Sequence, residues 1–337
     1  MKNYIFKSRW IWLGLVMVFA VYSSVNMAWG AEKTLRFQVN YPGTSYGGAS
    51  MKYFAKQVEQ ESKGKLEVQL FFAGQILNTK EAFSALQKGM VDGLYSALIY
   101  YGGIVKEANW EWLPFTWNSP QQAIKLYLDQ GLLKLMQEAL AQHGLHYLVP
   151  IPMGTLGFLT DFPVDKVSDF KGHKIRGMGT QSKIIQLLGG TAVPLASAEQ
   201  YTALQRGTIE GTIYPFYTIG VYKFYEVIDY VIMPGVYSPC VIDVMMNQKS
   251  WDSLSPEMKE AVTKAAFNTM HWAADQNKKW DETGLEETTK HNLKVMKLSD
   301  AELKKFREAT APLWKETAQR SELSAKAVKV LEENCTK

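Results

Sequence analysis

Residue patterns that would indicate a catalytic reaction or a bound metal are scarce in this chain of 337 residues. It has two cysteines and five histidines, and no pair of histidines has the HxxxH or HExxH spacing of a zinc site. A Walker loop and a GxGxxG turn are also missing. No nucleophile can be paired with a base, so a secreted hydrolase is the weakest interpretation. The sequence therefore predicts no enzyme, no metal and no cofactor.

An excess of charge of one sign is missing as well. Lysine and arginine total 37 against 33 acidic residues, and three of the basic residues lie within the first 30 positions. Without that segment the net charge is about +1. A nearly neutral protein has no field that would hold a polyphosphate backbone, so no nucleic-acid partner is predicted.

Only one strongly apolar run stands out, at residues 11–21, directly after the positively charged start. It is short for a membrane span, and the small residues Ala28 and Gly30 follow it at a plausible cleavage site. We interpret residues 1–30 as an export signal, with an uncleaved anchor helix as the alternative. The mature chain is then expected in the periplasm and not embedded in the membrane. Whether Cys240 and Cys335 pair there is left open.

Apolar periodicity alternates between strand and helix. Residues 35–39 and 66–70 alternate as strands do, whereas 51–58 and 83–88 follow helical spacing and end near glycines. Ser197 and Gln200 fit a capping box at a later helix start. This order predicts an α/β fold with a parallel core.

A segment of nine residues occurs twice. Residues 85–93 reappear as 203–211, with five positions identical. A duplicated α/β domain explains the repeat, although chance similarity of two helix-to-strand junctions stays open. Ligands bind beyond the carboxyl ends of strands in open α/β sheets. The aromatic residues just past each copy are therefore expected to face a cleft between two lobes: Tyr95, Tyr214, Phe216 and Tyr217.

One arginine has an unusual place. Arg176 ends a predicted strand and is followed at once by Gly177. A guanidinium in that position could present its planar fork to a carboxylate in the cleft. The alternative is a structural ion pair at the sheet edge, with Glu210 as the partner.

Short motifs extend over nearly the whole mature chain in a fixed order. They occupy residues 58–65, 72–75, 85–93, 113–115, 169–176, 189–194, 199–205, 207–215 and 254–257. In order and spacing they resemble the periplasmic solute-binding subunits of tripartite ATP-independent periplasmic (TRAP) transporters, the dicarboxylate-binding type. The resemblance implies a two-lobed periplasmic-binding-protein fold with crossing strands between the lobes and a long helix spanning both.

The resemblance also implies a domain division and a function. Lobe I would comprise 31–153 and 241–279, and lobe II 154–240 and 280–337 with the C-terminal helices. A small organic acid would be held in the closed cleft, with its carboxylate on Arg176, and delivered to the TRAP membrane permease subunits. An extracytoplasmic receptor that presents the ligand to a signalling kinase would use the same cleft and stays an alternative.

Two departures from the family pattern bear on the ligand. Leu156, or Gly157 if the register is shifted by one, stands where many members have a second arginine, and neither is a cation. Tyr214 stands where many members have asparagine. A dianion would leave one carboxylate poorly compensated, so an apolar or aromatic monocarboxylate is expected, with a small C4-dicarboxylate as the alternative. The expected ligand contacts are Arg176, Leu156, Tyr214, Phe216 and Tyr217, with Tyr95, Trp117 and Tyr237 as weaker candidates.

Overall fold

The computed structural model describes residues 31–334; the predicted export signal and Cys335 lie outside the described residues. Eleven strands occur within that range. They are β1 (Lys33–Val39), β2 (Leu66–Phe71), β3 (Gly93–Ser96), β4 (Leu145–Pro152), β5 (Leu156–Thr160), β6 (Lys174–Arg176), β7 (Thr191–Val193), β8 (Gly211–Pro215), β9 (Tyr230–Tyr237), β10 (Val241–Asn247) and β11 (Lys294–Lys297).

Helices alternate with these strands along most of the described chain. They are α1 (Tyr46–Glu61), α2 (Thr79–Gln87), α3 (Pro120–Leu128), α4 (Leu132–Ala141), α5 (Thr180–Leu187), α6 (Gln200–Gln205), α7 (Thr218–Val221), α8 (Gln248–Asp252), α9 (Pro256–Lys290), α10 (Asp300–Ala318) and α11 (Glu322–Asn334). Short 3-10 helices include Leu98–Tyr101 and Lys106–Trp112. Among the described residues, no helix combines the length and the hydropathy that crossing a bilayer would require.

The strands form two sheets with the same internal plan. One sheet has the order β2-β1-β3-β10-β4, and the other β7-β6-β8-β5-β9-β11. In each sheet the first three strands are parallel to one another, and the fourth strand is antiparallel to both of its neighbours. In the six-stranded sheet β11 is added at the edge, parallel to β9. The prediction of a duplicated α/β unit is therefore confirmed. We call the unit around the five-stranded sheet lobe I and the unit around the six-stranded sheet lobe II.

The repeated segment has the same conformation in both lobes. Gly89 and Gly207 each follow a helix with a positive φ, at 73° and 64°, which favours glycine because it has no Cβ. The strands β3 and β8 then begin at Gly93 and Gly211. At Gly93 a Cβ would lie 2.2 Å from the Phe37 ring, so this glycine also allows the sheet to pack.

The chain crosses between the lobes twice as extended segments, each of which leads into a strand of the opposite sheet, and a third time along α9 to β11. After β4 it enters lobe II as β5, and after β9 it returns to lobe I as β10. The crossing segments contact each other, because Met153 N donates to Cys240 O at 2.9 Å and Cys240 N donates to Gly154 O at 3.0 Å. The long helix α9 packs on α1 and β4 of lobe I and on α7 of lobe II. The two-lobed fold implied by the family resemblance is thus confirmed.

The C-terminal helices lie on different parts of the molecule. Helix α10 packs against α5 of lobe II and the 3-10 helix Lys106–Trp112, whereas α11 packs against α3, α4 and the same 3-10 helix. The residue boundaries of the lobes given above stay a prediction.

Candidate ligand-binding site

A cavity lies between the two lobes at the carboxyl ends of their parallel strands. Its atom-free volume is about 390 Å³, counting its opening to solvent. Tyr41 enters the wall two residues past β1, and Arg176 is the last residue of β6. The position agrees with the rule that open α/β sheets bind ligands beyond their strand ends.

Arg176 is the only charged residue among the described side chains of the cavity wall. It is 1% exposed, and its Nε donates to the Leu195 carbonyl at 3.1 Å. Its Nη2 is buried and has no hydrogen-bond partner in the described part of the chain, which also supplies no ion pair to this arginine. A buried unpaired donor is costly, by roughly 1–3 kcal/mol and more when it is charged. An anion in the cavity would relieve that cost.

Glu210 does not pair with Arg176, so the alternative of a structural ion pair at the sheet edge is wrong. Its Oε1 lies 3.0 Å from His173 Nδ1, and its Oε2 accepts from Lys174 N at 2.8 Å. These contacts lower the pKa of Glu210, with the Lys174 backbone bond as the largest cause.

Tyr214 forms the wall next to the arginine. The Arg176 guanidinium carbon lies 5.3 Å from the centre of its ring, a cation–π distance. The Tyr214 hydroxyl hydrogen-bonds Ser197 Oγ. The predicted capping box of Ser197 and Gln200 is wrong, because α6 begins without a side-chain cap and Glu199 Oε2 accepts from Ala196 N at 2.9 Å. Instead, Gln200 Oε1 accepts from Thr212 Oγ1 at 2.6 Å. Burial raises the pKa of Tyr214 well above its ordinary value, which keeps the phenol neutral.

The other polar groups of the wall are neutral. Within residues 31–334, no group hydrogen-bonds the hydroxyls of Tyr41, Tyr100 or Tyr217. Burial raises the pKa of Tyr41 and of Tyr217, so both stay protonated donors. Gln181 and Trp112 add further polar atoms. The remaining wall is apolar or weakly polar: Ile99, Met153, Leu156, Pro215, Cys240 and Ile242.

Four of the predicted contacts come together in this wall: Leu156, Arg176, Tyr214 and Tyr217. Leu156 is 3% exposed, borders the cavity and pairs with Pro215 of β8, the strand that separates β5 from the arginine strand β6. The preference for a monocarboxylate, predicted from the missing second arginine, stays a prediction.

Two of the weaker candidates lie behind the wall of lobe I and do not reach the cavity. Tyr95 is fully buried on β3, with its ring 5.7 Å from that of Tyr41. Trp117 donates its indole N–H to the Pro239 carbonyl at 2.6 Å. An aromatic residue at a strand end has the same sequence pattern whether it lines the cavity or packs behind the cavity wall. The sequence therefore could not distinguish the two kinds of aromatic residue.

Phe216 and Tyr237 also support the wall from behind. A Cβ at Gly157 would lie 2.4 Å from the Phe216 ring, which shows how closely this ring packs on β5. The Tyr237 hydroxyl donates to the Trp112 carbonyl at 3.0 Å, and the two rings meet edge to face at 5.3 Å. Tyr237 thereby fixes a residue that does border the cavity.

Sequence analysis missed most of the lobe I wall. Tyr41 could have been found, because it follows β1 just as Arg176 ends β6. Trp112 and Tyr100 come from 3-10 helices, which have no apolar periodicity to recognise.

The stretch Gly43-Thr44-Ser45-Tyr46-Gly47 has the GxSxG spacing of a hydrolase nucleophile turn. In the structure Ser45 is the N-cap of α1: its Oγ accepts from Gly48 N at 3.1 Å and donates to Pro42 O at 2.6 Å. Both hydrogen bonds serve the helix start, and no histidine or acid contacts the hydroxyl among the described residues. The spacing here is that of a helix cap.

The first crossing segment is fixed by the long helix. Gly154 N donates to Asn277 Oδ1 at 2.5 Å, and Thr155 N donates to Asp281 Oδ1 at 2.8 Å. Gly154 has φ of 82°, and a Cβ there would meet Asp281 and the Tyr217 ring at 3.1–3.2 Å. The crossing segment, the helix and one wall of the cavity therefore touch at one point.

Two α/β lobes with crossing strands, a spanning helix and, within residues 31–334, a single buried cation in the cavity wall define the class of two-lobed solute-binding proteins. The sequence model of the bacterial extracellular solute-binding protein family 7 matches residues 38–321, and the chain belongs to that family. The family resemblance and the prediction of a binding protein rather than an enzyme are confirmed.

Similar proteins agree with this assignment. The 2,3-diketo-L-gulonate-binding periplasmic protein YiaO of Escherichia coli is 27% identical over 271 residues, 77% of this chain and 82% of that protein. A TRAP periplasmic solute-binding protein of Desulfovibrio salexigens with bound orotic acid superposes with a TM-score of 0.83, at 23% identity, over 89% of this chain and 98% of that one. An open apo structure of a Rhodobacter sphaeroides TRAP periplasmic solute-binding protein superposes with a TM-score of 0.69, at 27% identity, over 90% of this chain and 97% of that one.

Proposed function

We propose that the protein captures a small monocarboxylate with an apolar or aromatic body in the interlobe cavity and delivers it to a TRAP membrane permease. The observation that carries this proposal is Arg176. It is buried, it forms no ion pair with a described residue, and its Nη2 is unpaired in a wall without another charge. A carboxylate would complete a charge-assisted pair there.

The charge of the wall supports one carboxylate rather than two. A second carboxylate would face Leu156 and tyrosine rings, and an under-compensated charge in a dry cleft costs several kcal/mol. The hydroxyls of Tyr41, Tyr100 and Tyr217 could instead hydrogen-bond a second carboxylate. A C4-dicarboxylate is therefore the alternative that the experiment has to test.

The relatives support the acid class. Orotic acid and 2,3-diketo-L-gulonate, which appear in the descriptions of two similar proteins, each contain one carboxylic acid group. Export to the periplasm is supported by the charged, then apolar, N-terminal sequence and by the extracellular family. Delivery to a permease rests on the TRAP assignment of the similar structures.

A thermal-shift screen followed by calorimetry tests the proposal. Monocarboxylates are expected to raise the melting temperature more than succinate or malate at equal concentration, because stabilisation follows binding to the folded state. Arg176→Ala is expected to weaken the best acid by at least about 10²-fold, as removing one partner of a buried charge pair costs roughly 3–5 kcal/mol.

Arg206→Ala is the matched control, since Arg206 is an exposed arginine of the same lobe. It should leave the affinity unchanged. A loss below about fivefold for Arg176→Ala would contradict the carboxylate role, and larger shifts with C4-dicarboxylates than with monoacids would contradict the ligand class.

A further inference from the structure

A second donor of the cavity wall is unpaired besides Arg176. Trp112 is 3% exposed and borders the cavity from lobe I. Its Nε1 is buried and has no hydrogen-bond acceptor among residues 31–334. An indole N–H is a donor only, so the group that would satisfy it has to be an acceptor.

A comparison with Trp110 shows why the contact of Trp112 with the cavity matters. It lies on the same 3-10 helix, Lys106–Trp112, is fully buried, and also has an unpaired Nε1. Its ring packs on Tyr127 at 5.6 Å and does not border the cavity. An unpaired indole alone is therefore no site. Trp112 differs because a ligand in the cavity can contact it.

The ring of Trp112 is fixed from behind. The Tyr237 hydroxyl donates to its backbone carbonyl, and the Tyr237 ring meets it edge to face at 5.3 Å. A side chain fixed in this way discriminates between ligands better than a mobile one, because little rotamer freedom is lost on binding.

We propose that Trp112 determines specificity by donating Nε1–H to a neutral oxygen of the ligand, other than the carboxylate that Arg176 binds. This inference rests on the proposed function. The oxygen is neutral because the described wall has one cation, which the carboxylate already neutralises. Arg176 belongs to lobe II and Trp112 to lobe I, so the two groups of the ligand are bound from different lobes. The ligand class is thus a small monocarboxylate with an additional carbonyl or amide oxygen.

Matched pairs of acids test this inference by calorimetry. 3-Oxocyclopentanecarboxylate is compared with cyclopentanecarboxylate, and 4-oxopentanoate with pentanoate, because the members of each pair differ only in the carbonyl. The wild-type protein is expected to prefer the carbonyl member of at least one pair by about tenfold, the effect of one satisfied hydrogen bond at a buried site. Trp112→Phe should reduce that preference to less than about twofold while the acids still bind.

Trp110→Phe is the control for packing. It removes an equally buried and unpaired indole from the same 3-10 helix but should keep the carbonyl preference. A preference that survives Trp112→Phe, or equal affinity of the wild type for both members of both pairs, would overturn the inference. Failure of every acid to bind the wild type, or wild-type binding by Arg176→Ala, would instead overturn the proposed function.

A measurement on the wild-type protein keeps the test independent of the folding of the variant. In protein labelled with ¹⁵N at tryptophan, the Trp112 indole N–H resonance should shift downfield with the carbonyl acid that binds and much less with its partner acid. The Trp110 resonance should not distinguish the two acids. Equal responses of Trp112 to both acids would overturn the inference.

Discussion

Asp281 on the long helix receives two hydrogen bonds from Thr155 on the first crossing segment. The Thr155 N–H lies 2.8 Å from Oδ1, and the Thr155 Oγ1 lies 2.6 Å from Oδ2. The contact ties α9 to the point where the chain passes from lobe I to lobe II. Burial raises the pKa of Asp281, and the Thr155 bonds oppose that rise.

Asp281→Ala should destabilise the protein, because it leaves the Thr155 N–H and hydroxyl without their acceptor. Hydrogen bonds to a charged group contribute about 1.5–3 kcal/mol each, so the loss of these two should lower the free energy of unfolding by roughly 3–6 kcal/mol. Urea unfolding measures the change. Asp275→Ala, one turn and a half earlier on the exposed side of α9, is the control and should have little effect. Equal stability of the two variants would show that the hydrogen bonds between Thr155 and Asp281 do not stabilise the fold.

Leu156→Arg should shift the preference of the cavity toward dicarboxylates. A second guanidinium beside Arg176 would compensate a second carboxylate, while a monoacid would leave it unpaired. Calorimetry should show tighter binding of succinate and weaker binding of the best monoacid. Leu156→Met is the control, because it keeps the volume and lacks the charge. An unchanged order of affinities in Leu156→Arg would show that this position does not set the selectivity.

The lobes should open when the ligand is absent. In the structure they touch across the cleft, with the Tyr46 and Tyr217 rings 4.5 Å apart and Thr180 Oγ1 3.2 Å from Asn109 Oδ1. The chain also superposes better on an orotate-bound relative than on an open apo one, with TM-scores of 0.83 and 0.69. Small-angle scattering should give a smaller radius of gyration with the best acid of the thermal screen. An unchanged radius at saturation would indicate a rigid, preformed site.

A buried pair of acids in lobe I should make stability depend on pH. Asp243 accepts from Tyr147 at 2.8 Å and from Leu98 N at 3.0 Å, while Glu111 accepts from the Tyr127 hydroxyl. Burial raises the pKa of Asp243 to about 7 and also raises that of Glu111, where the Asp243 charge adds to the effect. Asp243 already receives two bonds, so the shared proton is expected on Glu111.

The direction of this pH dependence follows from the linkage between proton binding and folding. The folded state holds the proton of this pair more tightly than the unfolded chain, whose carboxyls titrate near pH 4. The free energy of unfolding should therefore fall as pH rises from about 4 through about 7, by roughly 2–4 kcal/mol. Glu111→Gln resembles the protonated form and should flatten that slope in urea unfolding at pH 5 to 8. Glu138→Gln, at an exposed acid of α4, should keep it. A slope that is the same in both variants would exclude the pair as its source.

More of the fold than of the binding site could be predicted from the sequence. Periodicity, glycine caps and the repeat at residues 85–93 and 203–211 indicated two similar lobes, because each depends on local geometry. Arg176 could be found for the same reason, since it ends a strand. The aromatic wall could not be predicted, because Tyr214 near the end of β8 and Phe216 just past it are two residues apart, yet of these two only Tyr214 borders the cavity. Past the end of a strand, side chains no longer alternate between the two faces of the sheet. Contacts between the lobes then determine which side chain borders the cavity.

The exchange of β5 and β10 between the lobes has a consequence for synthesis. The five-stranded sheet has β10 in its interior, between β3 and β4, so it lacks a central strand until residues 241–247 leave the ribosome. By then β5 to β9 of the other sheet already exist as a contiguous segment. Strands β1, β2 and β3 can pair with one another as soon as they are translated, but β3 waits some 145 positions for its second neighbour, from Ser96 to Val241. A chain that stops before residue 241 would leave the edges of β3 and β4 unpaired, open to association with other chains.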